Sequence, residues 1–178
     1  VAAMAGIRLP VGPRKRYVYL LDCPAASEAL NAAPLTVDSS GIYFRPEGRH
    51  FLSGLSPDEA DEPGEMNWDV DYDWFDERIW PGLAARVPVF ETLKVINAWT
   101  GHYDYNALDQ NAVIGPHPDI GNFYFANGFS GHGLQQGPAA GNAIAELIAF
   151  GAYRTMDLSR LGYARVAAGE PLFEKNVI

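Results

Sequence analysis

Residues Asn127 to Leu147 read NGFSGHGLQQGPAAGNAIAEL, and the order of residue types along them decides how the surrounding chain folds. Just upstream, NFYFA at Asn122 to Ala126 is a short aromatic run that predicts a β-strand. Gly128, Gly131 and Gly133 then remove side chains where backbone could approach a ligand closely. A helix is predicted over Gly137 to Phe150, with Gly137 as N-cap, Pro138 at the first helical position and Gly151 as terminator. Its apolar face is Ala140, Ile144, Leu147 and Ile148. The segment is therefore strand, glycine-rich loop, helix. The start of such a helix offers unpaired N–H groups and about half a unit of positive charge to an anion.

The loop spacing at Gly131-His132-Gly133…Gly137 is G-x-G-x-x-x-G, a loosened dinucleotide fingerprint. Too little chain follows it for a full nucleotide domain with its acidic ribose residue. Taken alone it also suits a tight strand–helix connection. Ser130 does not read as a hydrolase nucleophile, because His132 stands where a G-x-S-x-G elbow needs glycine.

Working outward, Tyr17 to Asp22 (YVYLLD) predicts a buried strand ended by Pro24. Leu35 to Asp38 and Ile42 to Arg45 flank Ser39-Ser40-Gly41, a hairpin turn. His50 to Leu55 is the next strand. A helix is expected over Asp69 to Ala85, with Trp74, Phe75, Ile79 and Leu83 at helical spacing and Pro81 kinking or restarting it. Glu91 to Tyr105 predicts a long strand and Asn111 to Ile114 a short one. Strands without βαβ alternation give an α+β fold around an antiparallel sheet.

The chain has 178 residues and a formal charge of -9. That charge argues against nucleic acid, which needs a basic surface. The acidic group from Asp58 to Asp76 reads as a solvated face, and Trp68, Trp74 and Trp80 as core anchors. With Cys23 as the single cysteine, no intrachain disulfide forms and a reducing compartment is expected. No stretch has the apolar length of a membrane span. No histidine has i, i+4 metal spacing, so no metal is expected. The chain begins with Val rather than Met and reads as a fragment.

GFSGHG, followed by the Pro-Ala-Ala-Gly helix ending in AELI, resembles the C-terminal flavin motif of the D-amino-acid oxidase and sarcosine oxidase family of FAD-dependent oxidoreductases. The blocks RKRYVYLLDCP, RIWPGLAARVPVFETLKV and GHYDYNALDQNAVIGPHP resemble one subgroup of that family, over nearly the whole chain. The resemblance implies two domains. Residues 1–110 would be the C-terminal part of the substrate domain, an antiparallel sheet with flanking helices. Residues 111–178 would be the last strand, loop and helix of a Rossmann-like FAD-binding domain whose N-terminal part is missing. It implies oxidation of a C–N bond of a small amine or amino acid by hydride transfer to flavin. Gly131, His132, Gly133, Leu134 and Gln135 would contact FAD, and His102, Tyr103 and Tyr105 are the substrate-side catalytic candidates.

At two positions the chain departs from the family pattern. Sarcosine oxidases carry a lysine for the substrate carboxylate where this chain has Gln135, which can hydrogen-bond but brings no charge. They also tether flavin to a cysteine in the strand matching Trp99 to Tyr105, which has none here, so non-covalent FAD is expected. His102 could face flavin or be a hydrogen-bonded core residue, and Tyr103 and Tyr105, sharing one strand face, could line a cavity or pack. His50 and His117 read as structural. The chain alone is expected to be inactive, to bind FAD weakly or not at all, and to self-associate. The location implied is cytoplasmic if bacterial and the mitochondrial matrix if eukaryotic. The resemblance also implies a second reading, a flavoprotein that binds a partner during assembly of a respiratory complex, and a third is a cofactor-free interaction domain.

Overall fold

A computed structural model describes residues 1–64 and 66–175. Strand β1 is Val11–Asp22, helix α1 Pro24–Leu30, β2 Thr36–Val37, β3 Tyr43–Glu47 and β4 His50–Gly54. Helix α2 (Tyr72–Trp74) runs through a π-turn at Phe75–Ile79 into α3 (Trp80–Arg86). Then come β5 (Lys94–Asn106), β6 (Val113–Pro116), β7 (Tyr124–Asn127), α4 (Gly133–Phe150) and α5 (Tyr163–Ala168). The antiparallel sheet has the order β2-β3-β4-β1-β5, and β6 and β7 form a separate antiparallel pair. The fold class is the expected α+β. By contacts the chain makes two compact units, Lys15–His102 and Val1–Arg14 with Tyr103–Ile178.

In the Lys15–His102 unit, alternation along β1 turns Tyr17, Tyr19 and Leu21 to one side, where they are buried with Phe44, Phe51, Phe75, Ile79, Leu83 and Phe90. Phe90 meets Phe44 and Phe51 edge-on, at 5.2 and 5.1 Å between ring centres, the arrangement aromatic quadrupoles favour. Pro81 restarts the helix as expected. It has no N–H to give, and the chain absorbs the loss by closing a wider turn before it, with Trp80 N–H donating to Phe75 O.

Two expectations are corrected in this unit. Trp68 is no core anchor, being 70% exposed, and Trp80 stays partly exposed with its indole N–H donating to Phe90 O. The acidic segment is not freely solvated either. The Arg16 guanidinium grips Glu62 through two bonds of 2.9 and 2.7 Å, Lys15 donates to Asn67, Tyr19 to Asp71 O and Arg78 to Asp61. A run of like charge stays close to the fold because cations and donors beneath it offset the repulsion.

In the other unit, α4 lays Ala140 and Ile144 against Ala112 and Ile114. Ile7, Val113 and Phe125 form a second cluster, with Tyr163 stacked on Phe125 at 4.7 Å. Helix α4 starts at Gly133, one turn before the expected N-cap, so Pro138 lies inside it. Without an N–H, Pro138 leaves the Leu134 carbonyl with no helical donor, a loss that a first turn open to water tolerates. Leu147 is half-buried and Ile148 is 64% exposed, so the expected apolar face is covered only along its Ala140 side. Among the described residues no helix is long and apolar enough to cross a membrane.

A buried polar hub ties this unit together. Asp109, 1% exposed, accepts from Arg165 Nε at 2.8 Å, Asn106 Nδ2 at 2.9 Å and the Leu172 N–H at 2.9 Å. Arg165 also donates to the carbonyls of Leu161, Asn111 and Ala112. Each buried charge is thus paired and hydrogen-bonded, as it must be away from water. We expect Asp109→Ala, which strands the Arg165 cation, to destabilise the fold by about 3–5 kcal/mol, read from denaturant midpoints. A change of a few tenths would show the pair to be dispensable.

Glu146 secures the end of α4. It accepts from Arg154 N at 2.6 Å, Thr155 N, Thr155 Oγ1 and Asn142 Nδ2, and these bonds, the Thr155 hydroxyl first, hold its carboxyl down at about 2 from the usual 4.5. A group depressed on folding stabilises above its unfolded pKa and loses that contribution as pH falls through the folded one. Stability should therefore drop between about pH 4.5 and 2, and Glu146→Gln should flatten that part of the profile. An unchanged acid limb in the variant would contradict this.

Candidate functional site

The end of β5 and the loop after β7 are built against each other within one unit. Asp104 Oδ2 accepts from the Gly128 N–H at 2.6 Å and the Phe129 N–H at 3.2 Å, and its carbonyl accepts from Ser130 N. Two residues on, the Asn106 N–H donates to Ser130 Oγ at 3.0 Å, and Ser130 Oγ donates to Gly128 O. Consecutive loop N–H groups that no sheet or helix can satisfy are thereby paired by one strand end. The pairing holds an unusual backbone: Gly128, Ser130 and Gly131 have φ of 75°, 50° and 99°. For Ser130 this left-handed region is costly, by about 1–2 kcal/mol, and its three hydrogen bonds offset that.

Glycine is required at two of these positions. A Cβ on Gly131 would lie 2.6 Å from a ring carbon of Tyr103, besides the adverse φ. One on Gly128 would meet Val11 Cγ2 at 3.0 Å and Asn106 Cβ at 3.2 Å. Gly133 is different. Its φ is ordinary and a Cβ there makes normal contact with Phe129 at 3.6 Å.

The structure places Gly131, His132, Gly133, Leu134 and Gln135 in one turn leading into α4. His132 occupies the N-cap position without capping through its side chain. By helix geometry the N–H groups of Gly133, Leu134 and Gln135 have no partner within the helix. Leu134 is 91% exposed and Gln135 exposed. Tyr103 lies against Gly131, and Tyr105, on the same face of β5, carries the Arg14 guanidinium over its ring at 4.8 Å. His102 is the last residue of the other unit, its ring edge-on to Trp68 at 4.4 Å, with Nε2 buried and without a hydrogen bond. His50 pairs with Asp22 at 3.1 Å and His117 stacks on Tyr163 at 5.1 Å. Sequence reasoning missed Asp104, Asn106 and Ser130 as site residues, although an Asp between two tyrosines at a strand end, followed by Asn-x-x-Asp, is a readable turn signal.

Residues 1–147 match the model of the DAO family, described as FAD dependent oxidoreductase. FAD-dependent oxidoreductase domain-containing protein 1 of Xenopus laevis is 50% identical over 178 residues, which is 99% of this chain and 35% of that protein. The chain spans about a third of the length of the curated relatives it matches. Among solved structures, L-proline dehydrogenase from P. horikoshii superposes with a TM-score of 0.81 at 24% identity, covering 97% of this chain and 45% of that one. Glycine oxidase from Geobacillus kaustophilus gives 0.74 at 21%, covering 90% and 41%. The arrangement of strand end, glycine loop and helix start is thus seen in a chain that belongs to the DAO family of FAD-dependent oxidoreductases.

Proposed function

We propose that this chain supplies the flavin-facing loop of an enzyme that oxidises a C–N bond of a small amine or amino acid. The observation that carries the reading is the Gly131-His132-Gly133 turn, which follows the Asp104-braced residues Gly128 to Ser130 and opens onto the N-terminus of an 18-residue helix. Gly131, His132, Gly133, Leu134 and Gln135 would hold non-covalent FAD through backbone groups. When bound, flavin supplies the hydride acceptor. The residues fit an electron-rich ring edge: the N–H groups at the start of α4 favour negative charge there. Tyr103 and Tyr105, half-buried on one face of β5, would line the side of the site next to the turn. Two solved proteins of this fold are by name an L-proline dehydrogenase and a glycine oxidase, which supports an amine or amino-acid substrate.

On this reading residues 111–178 belong to the FAD-binding domain and residues 1–110 to the substrate domain. Tyr103, Tyr105 and His102 are the candidates on the substrate side. The chain alone would bind FAD weakly, because a few backbone bonds of about 1 kcal/mol each do not offset an association penalty of at least ~4 kcal/mol.

The full-length protein should show flavin absorption bands, and anaerobic mixing with a panel of N-methylated and free amino acids should bleach them. A protein that stays colourless with added FAD contradicts the reading. A yellow protein bleached by nothing in the panel favours the partner-binding role instead. Gly131→Ala should raise the flavin Kd about tenfold or more, since the loop must shift away from Tyr103. Gly141→Ala, in open space on the same helix, should leave it unchanged. Equal effects from the two would remove the loop from the flavin site.

A further inference from the structure

A cavity of about 310 Å³ lies between α3 and the β2–β3 hairpin, within the Lys15–His102 unit. Val37, Ile42, Phe44 and Leu83 give it an apolar lining, and the last three are buried core residues. Helix and hairpin approach closely at Gly82, where a Cβ would stand 2.3 Å from Ile42 Cδ1. None of Gly131 to Gln135, Tyr103 and Tyr105 lines this cavity. Its volume is at the small end of ligand-binding cavities, and an apolar lining favours a hydrocarbon group that displaces water.

Two charged residues, Asp38 and Arg86, also line it. The Ser40 N–H and hydroxyl both donate to Asp38 Oδ1, at 2.7 and 2.5 Å, and the hydroxyl above all holds this carboxyl below its usual range. Asp38 Oδ2 faces Arg86 Nη2 at 3.6 Å, beyond hydrogen-bonding length. Arg86 is exposed and has no other ion pair or hydrogen bond among the described residues. An acceptor and a donor of opposite charge thus stand side by side at an apolar cavity, with no hydrogen bond between them. A group that both donates and accepts can bridge them, its N–H donating to Asp38 and its oxygen accepting from Arg86. Both bonds are then charge-assisted. A carboxylate would gain Arg86 but be repelled by Asp38, and an ammonium would gain Asp38 but be repelled by Arg86. We propose that this cavity binds a small uncharged ligand, a hydrocarbon body ending in a group that both donates and accepts, as a primary amide does.

The test titrates hexanamide, hexanoate and hexylamine, matched in length, into the full-length protein and follows the methyl NMR signals of Ile42 and Leu83. We expect hexanamide to shift both signals and to bind at least about tenfold more tightly than either charged ligand. Val37→Phe, which fills the cavity from an exposed position, should raise the hexanamide Kd about tenfold or more. Arg86→Met leaves the Asp38 carboxylate without its cation. It should weaken hexanamide and strengthen hexylamine, each by about tenfold, so that the amine becomes the tighter ligand. A merely structural role for Arg86 would weaken all three alike. Silence of the Ile42 and Leu83 signals in the wild type overturns the proposal, and so does binding that moves other signals but not these. Equal wild-type affinity for the three ligands, or an unchanged order of affinities in Arg86→Met, overturns the bridged amide. Unchanged hexanamide affinity in Val37→Phe places the ligand elsewhere and overturns the site. If Val37→Phe does not fold, the two methyl signals decide the location by themselves.

Discussion

The Asp104 carboxylate is what the site depends on. A turn that presents bare backbone to a ligand has N–H groups with no sheet or helix to receive them, and its left-handed residues are disfavoured for anything but glycine. Asp104 accepts two of those N–H groups and its own carbonyl a third. The strand end thus does for Gly128 to Ser130 what a cap does for a helix. Because the brace comes from β5, Tyr103, the neighbour of Asp104, is fixed against Gly131 of the turn. One strand therefore sets both the loop and the ring next to it.

Behind this brace stands the Asp109 hub. Asn106 joins them, its N–H donating to Ser130 Oγ and its amide to Asp109. Asp109 in turn gathers Arg165 of α5 and the Leu172 and Glu174 N–H groups of the C-terminal segment. Segments distant in sequence meet at one residue that is 1% exposed, Arg165 and Leu172 at its carboxylate and Glu174 at its backbone carbonyl. Networks of this kind are strong when every member is satisfied and costly when one is removed, so the shape of the loop is coupled to the docking of the chain's last helix.

Much of the fold was legible. Tyr17, Tyr19 and Leu21 alternate, and β1 results; the Ser39-Ser40-Gly41 turn sets the β2–β3 hairpin; Pro81 restarts its helix. The misses have physical causes. Helix α4 begins a turn early because Gly133 to Gly137 contains little that sequence periodicity can register, while Pro138 looks like a first-turn residue. Trp68 reads as core by residue type, yet its ring covers His102 from outside. The acidic segment reads as solvated because sequence does not show that Arg16 and Lys15 lie beneath it. At the site, the glycine turn was legible from its motif. The brace was not, because Asp104 and Ser130 are 26 residues apart in sequence and meet only through the pairing of a loop with a strand end.

Amide hydrogen exchange across the loop, in the full-length protein with and without FAD, tests the account most directly. The N–H groups of Gly128, Phe129 and Ser130, held by Asp104, should exchange slowly in both states. Those of Gly133, Leu134 and Gln135 should exchange fast without flavin and slow markedly with it. Rapid exchange at Gly128 to Ser130 in the flavin-free protein, or no flavin-dependent protection at Gly133 to Gln135, would contradict it.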